Sequence, residues 1–141
     1  LLSSLGVPAN VVAGDLDGDG DLDLAMSLQT NNQLSMHYNN GSGVFSGTNY
    51  QTAGANSNPI GLEIGDIDND GDLDLVSANY GNNLITIYRN SGNGLSYTTT
   101  TRSAGAQLRW VALKDLNGDG YLDLITVNGQ SNTVSIDLVG C

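Results

Sequence analysis

The stretch "GDLDGDGDLDL", Gly14 to Leu24, decides how the chain is read. It places five aspartates, Asp15, Asp17, Asp19, Asp21 and Asp23, within nine residues. Two carboxylates about 4 Å apart repel by about 4 kcal/mol at an effective dielectric near 20. A loop that repeats this cost several times over calls for a cation at its centre.

The stretch recurs as "GDIDNDGDLDL" (Gly65 to Leu75) and as "KDLNGDGYLDL" (Lys114 to Leu124). The leading aspartates Asp15, Asp66 and Asp115 stand 51 and 49 residues apart. The flanks repeat in step. Short apolar runs ("VVAG", "IGLEIG", "LRWVALK") precede each loop, and "LDLAMSLQ", "LDLVSANY" and "LDLITVNG" follow. After a polar, Asn-rich turn comes a third alternating run: "QLSMHYN", "LITIYRN" and "TVSIDLV". Period-two alternation bounded by Gly and Asn clusters predicts β-strands joined by hairpins, and no segment has the 3.6-residue period of an amphipathic helix.

Two units carry a fourth run, "VFSGTNYQT" and "LSYTTTTRS", whereas the third stops after its third strand. Four-stranded antiparallel units of about 50 residues, repeated, predict an all-β chain of β-propeller blades. The expected divisions are an N-terminal strand over 1–10 that completes another blade, blade 1 over 11–58, blade 2 over 59–107, and an incomplete blade 3 over 108–141. Three blades are fewer than the four to eight that usually close a ring. The chain is therefore expected to be part of a larger propeller or a protomer that assembles.

Numbered from its first aspartate, each loop offers oxygen ligands at positions 1, 3, 5 and 9 and a backbone carbonyl at position 7. The first loop supplies Asp15, Asp17, Asp19, Asp21 and Asp23; the second, Asp66, Asp68, Asp70, Asp72 and Asp74. The third supplies Asp115, Asn117, Asp119, Tyr121 and Asp123. Position 7 is Asp or Tyr, as expected where only the backbone serves, and Gly at position 6 permits the sharp turn. An all-oxygen, carboxylate-rich shell suits Ca²⁺; Mg²⁺ demands stricter octahedral geometry, and Zn²⁺ prefers His or Cys. Three Ca²⁺ sites are expected, the third weaker because Asn117 removes a charge. An EF-hand would need a bidentate Glu at position 12 and flanking helices; Met26, Ser77 and Thr126 stand there instead.

These loops and flanks resemble the FG-GAP/VCBS-type repeats of integrin-α-like β-propellers, over nearly the whole chain, although the Phe-Gly and Gly-Ala-Pro signatures are missing. The resemblance implies a calcium-binding hairpin between the first and second strands of each blade. It also implies an extracellular or cell-surface protein in adhesion, ligand binding or surface assembly, at times appended to hydrolases.

The rest of the composition is consistent with that expectation. Of 15 acidic residues, all but Glu63 and Asp137 lie in the three loops, so the net charge of −11 is local chemistry and not a solvated acidic face. With only four Arg and Lys, the 141-residue chain is not expected to bind nucleic acid. No apolar run is long enough to cross a bilayer, and "LLSSLGVPAN" lacks a basic n-region, so an export signal would lie upstream or have been removed. Cys141 has no partner for an internal disulfide. His37 lies in a strand with no nucleophile set around it and is read as structural. Trp110 is expected in the core, with sugar stacking as the alternative. "NGS" at Asn40 is a glycosylation sequon in what is equally an ordinary turn.

The expectation is therefore a secreted, calcium-binding, non-catalytic propeller module. It would self-assemble into a homo-oligomer or fibre, or bind another extracellular protein or glycan, without inserting into a membrane. The alternatives are a lectin-like propeller, with Trp110 and Tyr121 holding sugar, and an accessory domain of a larger secreted enzyme.

Overall fold

A computed structural model of the chain describes residues 6–140. Among them, eleven strands form three antiparallel sheets, with one single-turn 3₁₀ segment (Gln29–Asn31) and no α-helix. The first sheet orders β1 (Pro8–Gly14), β2 (Asp23–Leu28), β3 (Gln33–Asn39) and β4 (Phe45–Thr52) side by side. The second repeats this with β5 (Pro59–Gly65), β6 (Asp74–Asn79), β7 (Leu84–Asn90) and β8 (Tyr97–Ser103). The third holds β9 (Leu108–Lys114), β10 (Asp123–Asn128) and β11 (Thr133–Asp137), with β11 at its open edge.

Pro8 and Asn10, grouped with the N-terminal segment on sequence grounds, pair with Leu28 and Ser27 of β2. The rest of that expected strand, residues 1–5, lies outside the described residues, as does Cys141. The turn before each third strand closes through Asn32, Asn83 or Asn132 in the left-handed region (φ 55°, 59° and 53°). Asn reaches that region more readily than most residues because its short amide bonds locally, which accounts for the Asn clusters there.

Successive sheets meet through their first strands, β1 against β5 and β5 against β9. Between the first and second sheets lie Leu16, Ala25, Leu34, Met36, Leu62, Leu75 and Tyr88. Between the second and third lie Ile67, Val76, Ala78, Ile85, Ile87, Leu108, Val111 and Leu124. Since both faces of the second sheet are covered, every residue of β6 is buried. The faces follow the pleat: Leu75 points back to the first sheet and Val76 forward to the third. Burying a side chain the size of Leu75 contributes about 1.5–3 kcal/mol.

The two outer faces expose the same register positions that are buried inside. Val127, Val134 and Ile136, equivalent to Ala78, Ile85 and Ile87, are 40%, 61% and 59% exposed. At the other end Val11, equivalent to the fully buried Leu62, is 55% exposed. Trp110 corrects the expectation of a core residue. Its neighbour Val111 faces the second sheet and is buried, so Trp110 points the other way and is 44% exposed.

Candidate metal centre

Each acidic loop joins the first and second strands of its sheet, and backbone geometry curls it onto its own carboxylates. Position 4 is left-handed in all three loops (Gly18 φ 78°, Asn69 φ 58°, Gly118 φ 78°), and so is position 6 (Gly20 φ 92°, Gly71 φ 96°, Gly120 φ 87°). These two kinks turn successive N–H groups inward. Asp15 Oδ1 accepts from the amides of Gly18 (2.8 Å) and Asp19 (3.1 Å), and its Oδ2 from Gly20 (2.9 Å). Asp66 accepts from Asp70 (3.1 Å) and Gly71 (3.0 Å). Asp115 accepts from Gly118 (2.7 Å) and Gly120 (3.0 Å), and these backbone donors hold its carboxyl below the ordinary range. At position 5, Asp19, Asp70 and Asp119 accept from the amides of Asp21, Asp72 and Tyr121 at 2.9, 3.0 and 2.9 Å.

The resulting convergence is tight. Asp15, Asp17 and Asp19 each bring a carboxylate oxygen to within 4.8 Å of the others, and so do Asp66, Asp68 and Asp74. Asp23 and Asp70 do not join these trios at that distance, and the third loop forms no acidic trio among the described residues. There Asn117 stands where Asp17 and Asp68 stand, and its amide donates to Asp119 Oδ2 at 2.9 Å. Asp17 is pushed above the usual carboxylate range, first by burial and then by the charges of Asp23 and Asp19. Mutual repulsion of this kind is what a divalent cation relieves. In the second loop Arg89 supplies partial relief, its Nε lying 3.2 Å from Asp68 Oδ2.

Position 9 does work that the sequence pattern did not disclose. Asp23, Asp74 and Asp123 are fully buried. In each, Oδ2 accepts from the amide at position 2 (Leu16 2.9 Å, Ile67 3.0 Å, Leu116 2.8 Å). Oδ1 accepts from an amide at the end of the third strand or just past it, at Asn39 (2.8 Å), Asn90 (2.8 Å) and Val139 (2.9 Å). One carboxylate thus staples the loop to the far end of its sheet, and in the second loop it also joins the metal-type trio. Burial pushes Asp74 up to about 6, although its two backbone donors pull the other way.

Position 7 carries a second unanticipated role. Asp21, Asp72 and Tyr121 lie over Gly41, Gly92 and Gly140, where an added Cβ would meet them at 2.5, 2.7 and 2.5 Å. All three glycines have positive φ. The position-7 side chain therefore lies against the turn after the third strand.

His37 is 4% exposed, and burial lowers its pKa. Its Nε2 is buried without a hydrogen-bond partner among the described residues. Trp110 and Tyr121 do not form one platform: Tyr121 lines the cavity between the second and third sheets, while Trp110 points to the opposite side.

An all-β chain that repeats one sheet around a carboxylate-rich hairpin belongs to the class of acidic-loop repeat proteins. Two overlapping stretches, residues 15–77 and 66–126, match the FG-GAP-like repeat, and the chain belongs to that family. Each match runs from a position-1 aspartate into the second strand of the next sheet. A search of curated proteins gives no match to the chain.

Were the loops loaded with Ca²⁺, Asn117→Asp would be expected to tighten the third site, since it restores the carboxylate found at the other two position-3 sites. Calorimetric titration should show the weakest of three binding steps strengthen while the other two stay put.

Proposed function

We propose that the chain is a calcium-binding β-propeller module of a secreted or cell-surface protein, used for binding or assembly and not for catalysis. The observation that carries this reading is the repeated convergence of carboxylates on loops curled by their own backbone amides. Three Ca²⁺ would bring six positive charges to a chain of net charge −11. The expected ligands are Asp15, Asp17, Asp19 and Asp23 with the Asp21 carbonyl, and the corresponding sets in the other two loops. Partly exposed sites without a bidentate Glu suit the weak affinities, about 10⁻⁴–10⁻³ M, of extracellular modules. Each ion would fix the first hairpin of its sheet.

The sheets are read as consecutive propeller blades because each presents the same face to the next. The apolar outer faces, Val127, Val134 and Ile136 at one end and Val11 at the other, favour a further sheet of the same kind on each. Assembly of copies into a ring or fibre would supply it. A glycan-binding reading has one observation in its favour, the exposed indole of Trp110.

Light scattering in millimolar calcium and again in excess chelator tests the assembly reading. A discrete oligomer or an open fibre in calcium, dispersed by chelator, is expected. A calcium-loaded monomer would contradict it.

A further inference from the structure

Asn90, the last residue of β7, is 4% exposed and sets its side-chain amide between the first and second acidic loops. Its Nδ2 donates to Leu16 O at 2.7 Å and to Leu73 O at 3.2 Å. Leu16 stands at position 2 of the first loop, between Asp15 and Asp17, and Leu73 at position 8 of the second, beside Asp74. One NH₂ group thus holds a carbonyl of each loop. The Asn90 backbone N–H donates to Asp74 Oδ1 at 2.8 Å, and Asp74 belongs to the second carboxylate trio.

The remaining polar atom of the side chain serves the same junction. Asn90 Oδ1 accepts from the amides of Gly92 (3.2 Å) and Gly94 (3.1 Å), which fixes the turn before β8. That turn rests on the first loop: a Cβ added at Gly94 would lie 3.0 Å from Leu16 O and 3.2 Å from Asp17 Cβ. The second and third loops are joined differently. Val139, whose amide repeats the Asn90 bond by donating to Asp123 Oδ1, has no side-chain donor to reach the preceding loop. An exposed bond links those two loops, from Asn69 Nδ2 to Gly120 O at 3.1 Å.

We propose that Asn90 is a positioning residue that couples the first two loops, so that calcium bound at either one raises the affinity of the other. The proposal rests on the calcium reading of the loops. Its physical basis is a shared ordering cost. Loading the second loop fixes Asp74 and, through it, Asn90; the Asn90 amide then holds Leu16 O in place. A loop already held has less freedom to lose when its own ion arrives. The bonds to Asp74 and Leu16 are both buried, so breaking the link would strand polar groups away from water. Repulsion between the two ions opposes the coupling, but salt screens it and it does not depend on Asn90. Linkage is reciprocal, so emptying either loop must weaken the other by one factor.

Calcium titration followed by amide resonances tests this, because Gly20, Gly71 and Gly120 at position 6 report the three loops separately. Asp66→Ala, which removes the second site, is expected to weaken the first at least about fivefold, and Asp15→Ala to weaken the second equally. Asp115→Ala, the same change in the third loop, should leave the Gly20 titration in place. With Asn90→Val also present, Asp66→Ala should no longer move Gly20. Should that chain fail to fold, Asn90→Asp serves instead, since it keeps an acceptor for Gly92 and Gly94 and removes both donors. A Gly20 midpoint indifferent to Asp66→Ala would overturn the coupling and leave the calcium reading standing. A midpoint that still follows Asp66→Ala without the Asn90 amide would overturn the role of Asn90. Glycine resonances that ignore calcium altogether would overturn both readings.

Discussion

Excess chelator is expected to lower the melting temperature by roughly 5–15 °C relative to millimolar calcium. Millimolar calcium is about one to ten times the Kd of sites in the 10⁻⁴–10⁻³ M range and stabilises the folded state by about 0.4–1.4 kcal/mol per site, so three sites supply about 1–4 kcal/mol. That is a sizeable share of the whole stability of an ordinary domain, about 5–15 kcal/mol. The chain's own geometry makes the dependence large. Without an ion, Asp15, Asp17 and Asp19 hold their oxygens within 4.8 Å of one another, as do Asp66, Asp68 and Asp74. Among the described residues, only Arg89 beside Asp68 offsets any of this repulsion through a basic side chain. Differential scanning calorimetry in calcium and in chelator measures the effect directly. A shift of a degree or two would mean that the loops are ordinary acidic turns.

Asp74→Ala is expected to cost about 2–4 kcal/mol even in chelator, because the side chain staples backbone that has no other partner. Its removal orphans the amides of Ile67 and Asn90, each left buried without an acceptor at about 1–3 kcal/mol. Relief of the burial that pushes this carboxyl up to about 6 offsets part of the loss near neutral pH. Asp70→Ala provides the contrast, since Asp70 accepts only an exposed amide, that of Asp72, at 3.0 Å. The Asp70 variant should lose stability in calcium and little in chelator, whereas the Asp74 variant should lose it in both. Urea unfolding of the two variants under both conditions separates the staple from the ligand. Equal behaviour in chelator would contradict a structural role for position 9.

Much of this was legible in the chain itself, for identifiable reasons. Strand alternation and the 51- and 49-residue spacing gave the three sheets, because a pleated strand with one covered face must alternate. The curl of the loops was legible because glycine at position 6 permits the sharp turn. Two things were not. The bonds from Asp23, Asp74 and Asp123 end on backbone amides sixteen residues away, and an amide is present whatever the residue type, so Asn39, Asn90 and Val139 give no common signal. Trp110 was misplaced because aromatic residues in apolar runs are usually core residues. Which face of β9 it occupies depends on whether another sheet covers that face, and a strand's own pattern does not say so.

The account stands most directly on the number of calcium ions bound. Equilibrium dialysis of the chain against saturating calcium should give three Ca²⁺ per chain, and Asp66→Ala should give two. A wild-type chain that binds none, or an Asp66→Ala variant that binds as many as the wild type, would contradict it.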